Sequence, residues 1–137
     1  MATQPPTTAT LVWKGALIFE ARSGDRTLTM DGHSKAAPSP MEALAMALAG
    51  CMSVDVAAIV TKGRHPLTAL ETSIVGERVA DHPRRFTAFT MHFIVIGAVP
   101  VAAVERAIQL SHDKYCSVWH SLREDITFAS TFEIRAA

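Results

Sequence analysis

The run SPMEALAMALAGCMSVDVAAIVTKGR, residues 39–64, limits the folds open to this chain more than any other segment. Ser39 suits an N-cap, Pro40 suits the first helical position, and Glu42 three residues after Ser39 completes a capping box. The helix this predicts runs to about Lys62, where Gly63 and Pro66 stop it. From Ala43 to Val60 it is apolar almost all round, so sheet or a second subunit must cover most of its faces. The apolar stretch from Ala43 to Val54 is too short to span a bilayer and is bounded by Glu42 and Asp55, which points to a buried helix and no membrane anchor.

Around this helix the pattern is mostly strand. TLVWKGALIF (Thr10 to Phe19) is rich in β-branched and aromatic residues, and RTLTM (Arg26 to Met30) follows the turn signal SGD, which predicts an opening antiparallel pair. Strands are also predicted over Leu70 to Val79 and Phe86 to Gly97, joined by the turn-forming ADHPRR. VAAVERAIQL after Pro100 puts Val101, Val104, Ile108 and Leu110 on one helical face. Cys116 closes that stretch, a short helical piece SVWHSL follows, and ITFASTFEIR is the last strand.

With 137 residues and 49% hydrophobic content the chain can bury a core of its own, and a single domain over 10–137 behind a leader of residues 1–9 is expected. Lys and Arg number 13 against 13 Asp and Glu, so no basic surplus favours nucleic acid or an anionic membrane. The same neutrality, with the high apolar content, points to self-association. MATQPPTTAT lacks the basic and apolar regions of a secretory signal, so a cytoplasmic location is expected.

The chain has two cysteines, Cys51 in the long helix and Cys116 after the polar patch SHDKY. In a reducing compartment a permanent disulfide between two lone thiols is disfavoured, and any pairing is expected to be transient and catalytic. Neither a CxxC nor a His/Cys cluster with zinc spacing occurs, so a structural metal site is not expected. A cysteine attacks only as thiolate. Cys51 lies beyond the reach of its helix dipole, with Asp55 one turn later, so a cation must come from elsewhere: Arg22 or Arg26 in the first turn, His112 or Lys114, or a partner subunit. Cys116, just before SVWHSL, is expected to gain thiolate character from the N–H groups of that piece. The six histidines show no ligand or catalytic spacing and read as ordinary surface or strand residues, although a hydrolytic Cys/His pair with His112 as base stays open.

PMEALAMALAGC followed by LSHDKYC resembles the two-cysteine signature of the OsmC/Ohr family, the osmotically inducible and organic hydroperoxide resistance proteins. PMEALAMALAGCMSVDV, GERV and RAIQLSHDKYCSV are similar in particular to its YhfA-type OsmC-like branch. The resemblance spans about Trp13 to Ile134 and implies an α+β fold, with curved antiparallel sheets wrapped around two central helices in an intertwined homodimer. It further implies reduction of organic hydroperoxides, with Cys51 peroxidatic, Cys116 resolving, Arg22 (less well Arg26) as the activating cation, Glu42 steadying that Arg, an external dithiol as reductant and no cofactor. Two positions depart from the pattern: Met41 rather than Glu follows Pro40, and Ser117 rather than Pro follows Cys116. A non-catalytic dimer binding a small hydrophobic ligand is the alternative reading.

Overall fold

The computed structural model describes residues 3–137, so the first two residues of the expected leader lie outside the described residues. The element order is β1 (Thr10–Trp13), β2 (Ile18–Ser23), β3 (Arg26–Asp31), α1 (Pro40–Lys62), β4 (Ala69–Arg78), β5 (Phe86–Ile96), α2 (Val101–Leu110), a π-helical turn (Ser111–Tyr115), α3 (Ser117–His120) and β6 (Thr127–Arg135). The chain divides into two compact units, Met1–Leu44 and Ala45–Ala137.

In the first unit, β1, β2 and β3 form an antiparallel meander. The single strand expected over Thr10 to Phe19 is two strands. Gly15 at φ +104° and Ala16 at φ +50° reverse the chain between them, and Trp13 Nε1 donates to Ala16 O at 2.8 Å across the bend. The apolar run hid this turn, because its one glycine occupies a left-handed position that few other residues tolerate. Residues 3–9 are exposed and carry no helix or strand, and Ser23 Oγ donates to Thr8 O at 2.9 Å. After β3, Asp31 organises the connection to α1. Its carboxylate accepts N–H bonds from His33 (2.8 Å), Ala36 (2.9 Å) and Lys35 (3.3 Å), which hold its pKa below the usual carboxylate value.

The helix start is as the capping pattern predicts. Ser39 N donates to Glu42 Oε1 at 2.9 Å and Glu42 N donates to Ser39 Oγ at 3.1 Å, a reciprocal box satisfying two otherwise orphaned N–H groups. In the second unit Leu48, Met52, Val56 and Val60 recur every fourth residue and form the buried row of α1. Serine and threonine hydroxyls at Ser53 and Thr72, 2.7 Å apart, link α1 to β4. At 23 residues α1 is long and apolar enough, by length and composition only, to cross a membrane, a test that the core helix of a soluble protein also passes. Its buried row packs as in a core helix.

The second sheet has the order β4-β5-β6. β4 and β5 pair antiparallel, but β6 pairs parallel with β5, from Ala88 opposite Thr127 to Ile96 opposite Arg135. The sheet is therefore mixed, a correction to the expectation of antiparallel sheets throughout, and the α2 segment is the crossover that a parallel pair requires. Phe86, Phe89, Met91, Phe93 and Val95 of β5 are buried. β5 ends one residue before Gly97, whose φ of +132° leaves the strand; a Cβ there would come within 2.1 Å of Pro66 O. On α2 the buried residues are Val104, Ala107 and Ile108, while Val101 is exposed, contrary to expectation.

Candidate functional site

Cys51 lies beside the buried row of α1 and is half-buried, with Asp55 one turn on in the same half-buried position. The helix face next to them is apolar and open to solvent. Met46 is 55% exposed and Val54 68% exposed, and Gly50 has no neighbour within 4 Å of the place its Cβ would take.

Cys116 is brought to this helix by the end of α2. That helix does not run on to the cysteine as expected: it stops at Leu110 and widens into a π-helical turn over Ser111–Tyr115, closed by Cys116 N donating to Ser111 O at 2.8 Å. Cys116 itself is extended, at φ −74° and ψ +98°. Its side chain is fully buried, and both thiols are free. Ser111, also fully buried, donates its hydroxyl to Asp55 Oδ2 at 2.7 Å.

The SVWH helix forms as predicted, and Trp119 N–H donates to Cys116 Sγ at 3.4 Å. The thiol nevertheless does not become acidic. Burial, the adjacent Cys51 thiol and the Asp55 charge outweigh that one bond and push the Cys116 pKa up from 9.0 to about 11. The expected thiolate character of Cys116 is therefore corrected. One long N–H···S contact cannot offset removal from water in company with a second sulfur and a carboxylate.

Arg22 and Glu42 lie in the first unit. Arg22 is not in a turn but within β2, opposite Thr27 of β3, exposed and with no carboxylate partner among the described residues. Arg26 begins β3, and its Nε donates to Ser23 O at 3.1 Å across the two-residue Gly24-Asp25 turn. Glu42 accepts from Ser39 and from the Ser34 hydroxyl, both through Oε1, and these bonds lower its pKa. Its Oε2 takes part in neither.

No histidine hydrogen-bonds either thiol among the described residues. His112 stacks against Trp119 and Phe128 at centroid distances of 5.2 and 4.9 Å, and its Nδ1 meets Asp113 Oδ1 at 3.1 Å. That ring is structural packing, which removes the support for a Cys/His hydrolase. The sequence reading missed the Asp55–Ser111 bond. Its one visible trace was a carboxylate four residues after a cysteine on a greasy helix.

A small α+β protein with one free cysteine on its long helix and a second buried near it is the class these features define. The chain belongs to the OsmC family: the family model described as OsmC-like protein matches residues 32–131. It is 42% identical over 133 residues to Protein YhfA of Escherichia coli K12, covering 94% of this chain and 98% of that protein. Among solved structures it is similar to a hypothetical protein from Aquifex aeolicus VF5, with a TM-score of 0.90 and 23% identity over 98% of this chain and 99% of that one. An organic hydroperoxide resistance protein OsmC from Legionella pneumophila matches with a TM-score of 0.67 and 14% identity, over 97% and 98% of the two chains. At these identities the solved structures establish the α+β OsmC-like fold.

Proposed function

We propose that this chain is a thiol-dependent peroxidase that reduces organic hydroperoxides as a homodimer. The observation that carries the reading is the meeting of the two thiols, since Cys116 lies close enough to Cys51 for that thiol to raise its pKa. In the reaction the Cys51 thiolate attacks the distal peroxide oxygen; the O–O bond breaks, the alkoxide leaves and is protonated to an alcohol, and Cys51 becomes a sulfenic acid. Cys116 then attacks that sulfur, expelling the oxygen as water and forming the Cys51–Cys116 disulfide. An external dithiol reduces it by exchange and is itself oxidised to a disulfide. Arg22, from the partner subunit, supplies the cation at Cys51, and Glu42 Oε2 steadies the guanidinium. Family membership and the names of fold relatives such as the Legionella protein support the reading.

A second reading, a non-catalytic binder of a small hydrophobic ligand, draws on the groove of about 360 Å³ lined by Asp55, Ala58, Ile59, Lys62, Leu110 and Tyr115. Thiol titration before and after a stoichiometric pulse of cumene hydroperoxide separates the two. Loss of both thiols per chain is the expected result; retention of both overturns the peroxidase in favour of the binder.

A further inference from the structure

We propose that Asp55 and Ser111 form a clamp that holds Cys116 against Cys51 and sets how readily their disulfide closes. This deepens the peroxidase reading and rests on it for its biological purpose. Three short links join the two sulfurs. Cys51 and Asp55 are one helical turn apart on α1, so they share a side of that helix. Asp55 Oδ2 accepts from the Ser111 hydroxyl at 2.7 Å, and Ser111 O accepts from Cys116 N at 2.8 Å. One serine thus grips α1 with its side chain and the cysteine with its backbone. Among the described residues no other side-chain hydrogen bond ties the Ser111–Tyr115 turn to α1; Gln109, His112 and Asp113 bond to one another instead.

A fully buried hydroxyl with a single acceptor is costly to orphan, so the bond is a strong positional constraint. The turn needs one. A wide π-type turn is rare and recurs at functional positions, and here it carries the cysteine out of the helix. A disulfide demands Cα atoms roughly 4.4–6.8 Å apart with matched Cβ directions, so a turn free to relax would lower the effective concentration of one thiol at the other. The same bond places the Asp55 charge where it disfavours ionisation of Cys116. In the closing step the Cys116 sulfur attacks the Cys51 sulfenic sulfur. The S–S bond forms, the S–O bond breaks, and the leaving hydroxide takes the thiol proton as water. Asp55 and Ser111 are positioning residues in this scheme and touch no substrate.

The test uses the full chain with Asp55→Ala, Ser111→Ala, the double variant, and Asp55→Asn, which keeps a carbonyl acceptor for the Ser111 hydroxyl but no charge. Each is equilibrated in glutathione redox buffers and its Cys51–Cys116 disulfide quantified by mass spectrometry, a readout independent of peroxide. Each alanine variant is expected to form the disulfide about tenfold less favourably than the parent, the double variant no less favourably than either, and Asp55→Asn within about threefold of the parent. After a cumene hydroperoxide pulse with dimedone present, the alanine variants should carry the adduct on Cys51 where the parent closes its disulfide, with the initial loss of the Cys51 thiol unchanged. Unchanged disulfide equilibria in both alanine variants, additive losses in the double variant, or Asp55→Asn as impaired as Asp55→Ala would each overturn the clamp. If after the pulse the parent forms neither the disulfide nor a dimedone adduct while the glutathione equilibria shift as described, the clamp stands and the peroxidase reading falls.

Discussion

Trp119 donates its backbone N–H to the Cys116 sulfur at 3.4 Å, yet the thiol it contacts is pushed up to about 11. The contact is a helix N-cap in which sulfur replaces the usual oxygen, and it orients the side chain more than it charges it. A thiol held protonated in this way is a weak nucleophile at neutral pH. That limits stray oxidation of Cys116 while Cys51 is reduced.

This gives a first prediction. In the folded, reduced protein Cys116 should resist iodoacetamide at pH 8 and gain reactivity only as pH approaches 11; Cys51→Ser, which removes one cause of the shift, should bring that onset to lower pH. Because the folded pKa lies above the value of 9.0, the stabilisation tied to the neutral thiol is complete below pH 9 and lost as pH rises towards 11. Urea titrations at pH 8 and pH 11 should show a larger loss for the parent than for Cys116→Ala. Equal losses would mean that Cys116 is not the group involved.

The two cysteines should fail differently. Cys51→Ser is expected to abolish peroxide turnover, whereas Cys116→Ser should accumulate a sulfenic acid on Cys51 that dimedone labels. Mass spectrometry of both variants after cumene hydroperoxide checks this, and equal labelling in the two would contradict the assigned roles.

The capping box at the start of α1 should be measurable on its own. Ser39→Ala removes the oxygen that accepts from Glu42 N and should cost about 1 kcal/mol in urea unfolding. Ser39→Asp, which keeps an acceptor, should lie close to the parent.

What the sequence revealed follows the range of the interactions involved. The Ser39–Glu42 box and the Pro40–Lys62 helix were legible because their partners lie within one turn of each other. The β4–β5 hairpin was legible because its two strands are joined by the short, turn-forming ADHPRR. The reversal at Gly15 and Ala16 was not, since two left-handed residues inside TLVWKGALIF leave its hydrophobic pattern looking continuous. The parallel pairing of β6 with β5 was also hidden, because strand direction is set by a crossover and not by the strand's own residues. At the site, the sequence singled out both thiols, but the state of Cys116 depends first on its burial and then on Cys51 and Asp55, all of which only the fold brings about.

The exposed apolar face of α1 leads to a prediction about assembly. Met46 and Val54, with Gly50 between them, leave a smooth apolar ridge beside Cys51. Such a ridge is expected to be covered by the second subunit of the homodimer. Light scattering at micromolar concentration should give twice the mass of 14.8 kDa, and Val54→Asp should shift it towards the monomer. A monomer mass for the parent protein would remove the homodimer and, with it, any cation supplied from a partner.

That cation is the subject of the last prediction. Peroxide attack requires a thiolate at Cys51, and the helix carrying it offers no positive group within a turn; Asp55 is the charge that stands closest along it. Of the two arginines of the first hairpin, Arg26 is occupied by the Ser23 carbonyl at 3.1 Å, while Arg22 projects from the middle of the sheet without a carboxylate partner among the described residues. In the proposed peroxidase, Arg22 of the partner subunit is the cation expected at Cys51, with Glu42 as its second contact. Arg22→Ala should slow iodoacetamide alkylation of Cys51 at pH 7 by on the order of tenfold, Arg22→Lys should restore part of the rate, and Arg26→Ala should leave it unchanged. If Arg22→Ala alkylates at the parent rate, this strand does not activate Cys51 and the ligand-binding reading becomes the better account of the site.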